Sequence, residues 1–375
     1  MKKSLSIIAL AALAFVGCSK VTADAPNTNE PDQPIKFQAA TYKNSTKAED
    51  PHGHLEMPVS QFFVTAFYTG SKGWNETNLS DAVKYMSNVA VSKTDGKWKP
   101  ISDYYWPKTG KLSFIGWCPG QPNVDPFFNQ DNKAEFMKIS NYQVNYGDLL
   151  ISDITIDKTV ANAQDNLHVT EGVPMLFHHA LAKINFSAKL KANGATDNIN
   201  HFAFIKSVSI KQIYEKGTFT FDASQKTTLN GSWATESDPV DKDELYKNNA
   251  VTQGVGNFFS GTSLETSEAL GLLDNAMLVL PQTLSDNAVV ELSYVIYYCN
   301  HTTEGYKILD VHEVNNQPFK LNSFKKAGTS TAIDKWEQNK VYNYTIIVDP
   351  NSSSIITFDP AVVDWDSPTE AEEAI

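Results

Sequence analysis

The chain has 375 residues and a formal net charge of −12, and all 31 of its basic residues are lysine. An acidic surface argues against nucleic acid and against adsorption to anionic lipid headgroups, and without arginine the chain lacks the planar fork best suited to phosphate or carboxylate. Three cysteines are too few for a disulfide framework.

The amino-terminal residues read as an export signal. Met1-Lys2-Lys3 supplies a positive start, and Leu5 to Val16 gives an apolar run too short to span a bilayer as a helix. The run closes on Phe15-Val16-Gly17-Cys18, which resembles the lipobox of bacterial lipoproteins, with Phe15 where leucine is preferred. The expectation is a signal peptide over 1–17, cleavage before Cys18, and acylation of Cys18. Each acyl chain would bind membrane at about 0.8 kcal/mol per buried CH₂. Losing Lys2 and Lys3 takes the formal charge from −12 to −14. Residues 18–34 follow as a leash rich in Pro, Asn, Asp and Thr, with too little apolar surface to offset its ordering entropy.

The body reads as strands. From Lys183 the sequence alternates, with Ile184, Phe186, Ala188 and Leu190 on one face and Lys183, Asn185, Ser187 and Lys189 on the other. Period two predicts a half-buried antiparallel strand. The same pattern recurs in Val290 to Tyr298 and in Tyr342 to Val348. Shorter runs lie at Phe62 to Tyr68, Leu112 to Trp117, Ser207 to Ile213, Thr218 to Phe221 and Met277 to Leu280. Turn-rich joints, such as Cys118 to Pro126 and Lys191 to Asn200, separate them. An all-β chain of sandwiches is expected, with one connecting helix at most, over Ser263 to Leu273. A boundary near Pro174 would divide the body into 35–174 and 175–375, each long enough for a sandwich.

Chemistry is scarce. There is no HExxH, GxSxG, P-loop or GxGxxG motif, so no catalytic residue, metal ligand or cofactor is predicted. Adjacent strand residues point to opposite faces, so His178 and His179 cannot jointly hold one metal simply, and one is expected packed and the other exposed. His52 and His54 fall in a Pro- and Gly-rich stretch that reads as a loop. Cys118 and Cys299 lie in different halves of the chain; two buried free thiols and a disulfide both remain open. Tyr104-Tyr105-Trp106 is the aromatic cluster most suited to stacking a sugar, against the default role of aromatics in core packing.

Several segments taken together resemble the fimbrillin family of Bacteroides-type (type V) pili, including its Mfa-like members. They are the lipobox; Ile35-Lys36-Phe37 and Thr46-Lys47-Ala48; Tyr105-Trp106-Pro107 and Leu112 to Trp117; Asp148-Leu149-Leu150; Leu176 to Ile184; Leu278 to Gln282; Trp336 to Asp349; and Ile356 to Trp365. Their order runs through nearly the whole chain.

The resemblance implies two tandem transthyretin-like β-sandwich domains after the signal and leash. It also implies a fimbrial structural or accessory subunit, exported through the periplasm and held on the outer membrane by lipid on Cys18. A maturation protease would then cut after Lys47 and remove a first strand carrying Ile35, Phe37 and Ala39. The family's cut commonly follows arginine, so Lys47 requires a lysine-accepting protease; the other reading is a solvated loop lysine. Other pilin subunits would be the partners, joined by β-strand addition. The donor strand would carry Ile356, Phe358 and Val362, with Pro360 expected to interrupt its ladder. The result would be a fimbrium supporting cell adhesion to a host or glycan ligand. The alternative is a lipid-anchored cell-surface binding module, with glycans as candidate ligands, that never polymerises. The acidic cluster that often follows the cysteine of surface-exported lipoproteins is replaced here by Ser19-Lys20-Val21.

Overall fold

Alternating apolar residues, cut at short intervals by Gly, Pro, Asn and Asp, fold here into sheets. The computed structural model describes residues 32–42, 54–120, 124–163, 172–191, 199–224, 231–247, 268–269, 277–303 and 305–365. The signal region, Cys18, Lys47 and His52 lie outside them. Among the described residues the regular elements are strands and four short 3-10 turns, with no α-helix. Of the segment expected to be helical, the described pair Glu268–Ala269 is a strand against Ser187 and Ala188.

The largest sheet holds nine strands, and it closes on itself. From Lys111–Cys118 it runs through Gln61–Gly70, Val83–Thr94, Lys97–Pro100, Phe37–Tyr42 and Val173–His179 to Leu150–Ser152, which pairs back onto Lys111–Cys118. Ile35, Phe37, Phe62, Val64, Phe114, Met175 and Phe177 fill the space it encloses. Its other face, with Phe67, Ile115 and Trp117, packs on a four-stranded sheet built from Phe127–Phe128, Met137–Gln143, Lys216–Phe221 and Gly231–Glu236.

A second pair of sheets follows. One holds Glu268–Ala269, Met277–Val279, Ala182–Leu190, Lys340–Val348 and Ile356–Asp364; the other holds Val240–Lys247, Ile199–Ile213, Val289–Thr302 and Gly305–Lys320. Ile184, Phe186, Val208, Val290, Leu292, Tyr344 and Ile346 form the core between them. Stacked sheets with alternating inward residues are the sandwich arrangement.

Three expectations need correction. Ala182–Leu190 pairs antiparallel, as expected, with Glu268–Ala269 and Met277–Val279, but its longest ladder, with Lys340–Val348, is parallel, from Lys183↔Val341 to Leu190↔Val348. Alternation reports one buried face and is silent about strand direction. The position chosen as a boundary, Pro174, lies inside the strand Val173–His179. Proline is tolerated there because Val173 N–H donates to Lys36 O at 2.8 Å. Position 174 therefore addresses the opposite neighbour, whose ladder begins only at Phe177↔Ser152. Moreover, Phe219, Phe221 and Leu280, from the later half of the chain, belong to the core of Trp74, Trp117 and Phe136. Third, Pro360 does not interrupt its strand: pairing is continuous from Lys340↔Asp364 to Val348↔Ile356. The Pro360 carbonyl points outward to accept Ala327 N–H at 2.8 Å, so the missing N–H also faces away from the ladder.

Candidate functional site

The strand Phe37–Tyr42 is the piece that closes the large sheet. Gln33 O accepts Trp106 N–H at 2.9 Å, and Ile35 N–H donates to Tyr104 O at 2.7 Å. Phe37 faces Trp98, and a parallel ladder then runs from Phe37↔Val173 to Thr41↔Phe177. Gln38 Nε2 adds a bond to Gly172 O at 3.4 Å. Ile35 and Phe37 point inward and are 2% and 3% exposed; Ala39 is half-buried against the same core. The Phe37 ring meets Phe62 and Phe114 edge to face, with centroids 6.0 and 5.7 Å apart.

Gly172 makes this close approach possible. Its φ is +148°, and a Cβ there would lie 2.8 Å from the Phe37 carbonyl carbon. Any side chain at 172 would push the strand out of its slot. Burial of Ile35 and Phe37 contributes on the order of 2 kcal/mol each.

The C-terminal strand, Ile356–Asp364, is an edge strand bonded along one side to Lys340–Val348. Ile356 is buried, and Phe358 stacks on Phe324 at 4.2 Å between centroids while touching Phe319 edge to face at 5.1 Å. Val362 is half-buried on the same core. An ion pair joins Asp364 to Lys340. Beyond it Trp365 leaves that core for another: its ring lies flat on His179, 4.1 Å between centroids and 6° between planes. Lys183 Nζ sits 4.9 Å from the same ring.

Both histidines of the pair are buried, at 3% and 5% exposure, where one was expected in solvent. Each meets its own carboxylate: His178 Nε2 lies 3.1 Å from Asp153, and His179 Nδ1 lies 2.5 Å from Asp148. Two separate carboxylates let both rings leave water, and the Trp365 stack covers the second. Among the described residues no three metal-ligating groups gather. His54 opens the short strand His54–Glu56 beside Tyr42.

Cys118 and Cys299 are free and buried. Burial, with a smaller contribution from Asp148, pushes the Cys118 thiol up to about 11. Of Tyr104, Tyr105 and Trp106 only Tyr105 is exposed, at 41%, so the three do not present a shared stacking surface. Trp106 is 9% exposed and packs edge to face on Phe114, and the Tyr105 carbonyl is tied to the Tyr85 hydroxyl. Their backbone holds the first strand instead. The pattern that sequence inspection passed over is the likeness of the first strand to the last: Ile35-Lys36-Phe37-Gln38-Ala39-Ala40-Thr41 against Ile356-Thr357-Phe358-Asp359-Pro360-Ala361-Val362.

Residues 60–365 match the model of a family described as fimbrillin-like, a span that covers most of the chain and includes Trp365. The chain belongs to the fimbrillin-like family. Membership supports a fimbrial, cell-surface role of a structural kind. A crystal structure of a fimbrial protein from Bacteroides vulgatus shares the fold, at TM-score 0.62 and 17% identity, over 89% of this chain and 100% of that one. The tip fimbrial protein Mfa3 of Porphyromonas gingivalis, solved with a C-terminal truncation, aligns at TM-score 0.37 and 10% identity, over 88% of this chain and 100% of that one. No curated protein matches this fimbrillin-like chain.

Proposed function

We propose that this chain is a fimbrial subunit, exported as a lipoprotein on Cys18, that assembles by donor-strand exchange. Cleavage after Lys47 removes Cys18, the leash and the first strand together. The C-terminal strand of a second copy then fills the slot. The partners are therefore other pilin subunits and a lysine-accepting protease, and outer-membrane anchoring belongs to the stage before trimming.

The observation that carries this reading is the matched pair of heptapeptides. Isoleucine, phenylalanine and alanine recur at the same places (35 and 356, 37 and 358, 40 and 361), and Thr41 is answered by the near-isosteric Val362. In both strands the Ile-x-Phe row faces a core. Pro360 falls at the place of Ala39. Lys36 O bonds to Val173 N, so even-numbered residues of the first strand address Val173–His179 and Ala39 faces the other way. A proline there costs no bond in the parallel ladder. Insertion thus exchanges one strand for another of nearly the same shape, and head-to-tail repetition builds an open filament.

The test is limited digestion of the purified precursor with a lysine-specific protease. The expected product begins at Ala48 and runs as a ladder of oligomers that survives mild SDS. Lys43→Gln combined with Lys47→Gln is expected to stop both trimming and laddering. Fully trimmed protein that stays monomeric would overturn the reading.

A further inference from the structure

Two strand pairings among those described are parallel: Phe37–Tyr42 with Val173–His179, and Ala182–Leu190 with Lys340–Val348. They are joined by only two residues, Ala180 and Leu181, which connect the acceptor strand of the first ladder to a strand of the second. Lys340–Val348 in turn runs through a short loop into the C-terminal strand. The slot, the two parallel ladders and the last strand therefore form one continuous route through the molecule.

Direction decides what tension does on that route. An occupant of the slot is pulled at its amino end, while Val173–His179 is held at its carboxyl end. In the second ladder Ala182–Leu190 is held at its amino end, and Lys340–Val348 is pulled at its carboxyl end. For parallel partners, opposite ends mean shear, in which all hydrogen bonds of the ladder stretch together. Antiparallel partners loaded at the same pair of ends would open one bond at a time.

We propose that the fold is a tension-bearing link, with the ladder from Lys183↔Val341 to Leu190↔Val348 as its mechanical clamp. The filament route rests on the strand-exchange reading; the clamp itself belongs to the single chain. The ladder is reinforced on both faces. Outward, Asn185 Nδ2 donates to Asn343 Oδ1 at 2.8 Å, and the Ser187 and Thr345 hydroxyls meet at 3.0 Å. At its end Lys191 N–H donates to Val348 O at 2.8 Å, and Lys191 Nζ reaches Asp349 at 2.8 Å. Inward, Phe186 stacks on Tyr344 at 5.4 Å between centroids, and Ile184, Ala188 and Ile346 are buried beside them.

Single-molecule pulling on the full, untrimmed chain tests this directly. Click-reactive handles are placed at Lys183 and Ser353 in one preparation and at Lys189 and Ser353 in another, which leaves the buried thiols untouched. The first geometry shears the ladder, and the second unzips the same bonds. A rupture force several-fold higher in the first is expected; equal forces, or a lower force in the first, would overturn the clamp. Asn185→Ala combined with Ser187→Ala is expected to lower the shear force, and an unchanged shear force would also count against it. Neither measurement needs filaments. A clamp present in a chain that never ladders would sink strand exchange alone, whereas equal forces in a chain that ladders would sink the clamp alone.

Discussion

Phe37 and Phe114 meet edge to face, with ring centroids 5.7 Å apart and planes at 85°. One ring comes from the strand that closes the large sheet and the other from the opposite wall of its core. Phe37→Ala removes that contact and the one to Phe62 together, and leaves a cavity among rigid aromatics. A loss of about 3–5 kcal/mol is expected, read as a lower urea midpoint with an unchanged slope. Phe37→Leu is expected to lose less than half of that.

Cys118 gives a pH dependence of definite sign. Burial and, less strongly, Asp148 push its thiol from 9.0 up to about 11 in the folded chain. A raised folded value favours the neutral thiol. Its contribution is therefore fully present below pH 9.0 and is lost as pH rises from there through about 11. The difference in urea stability between the natural chain and Cys118→Ala is expected to shrink over that interval. In native protein at pH 8 neither Cys118 nor Cys299 is expected to react with a thiol reagent, and both react once the chain is unfolded.

Trp365 fastens the end of the C-terminal strand. Its ring covers His179, its backbone N–H donates to Asn339 O at 3.1 Å, and Lys183 lies over its face. Trp365→Ala is expected to release that end by about 1–2 kcal/mol. Hydrogen exchange should quicken at Val362 to Asp364 and stay unchanged at Ile356 and Thr357. Uniform quickening along the whole strand would contradict a local fastening.

Gln282 is a small clamp with a large expected effect. Its Oε1 accepts Tyr214 N–H at 2.8 Å, and its Nε2 donates to Tyr214 O at 2.9 Å and Leu280 O at 3.1 Å. Gln282→Leu leaves all three backbone groups without this partner in a buried place. Calorimetry is expected to show a loss of roughly 2–3 kcal/mol.

Much of the strand content was legible because half-buried strands write their faces into the sequence. Ala182–Leu190 and Lys340–Val348 were read almost to their ends. Gly305–Lys320 was not, since an edge strand carrying Lys307, Asp310, Glu313 and Asn316 shows little apolar alternation. Strand direction, closure of the large sheet and the crossing of Lys216–Phe221 into the earlier core depend on partners far along the chain. No local pattern encodes them. At the slot, Ile35 and Phe37 were legible as an apolar row, whereas the role of Gly172 rests on a backbone angle and an approach that only the folded chain reveals. Trp365 was legible only as the end of the last strand-like segment; its fastening contacts were not, because its partners, His179 and Lys183, lie in a distant segment.

The exchange of Lys216–Phe221 and Gly231–Glu236 into the first core bears on how the molecule comes into being. Phe219, Phe221 and Leu280 complete the wall around Trp117 and Phe136. A polypeptide threaded through a membrane amino end first delivers Trp117 and Phe136 long before those residues. Until Leu280 arrives, the early half has no lid for its aromatic rings and presents them to whatever surrounds the exit. Completion of the first core therefore waits until the chain has been delivered as far as Leu280, whatever the rate at which it emerges.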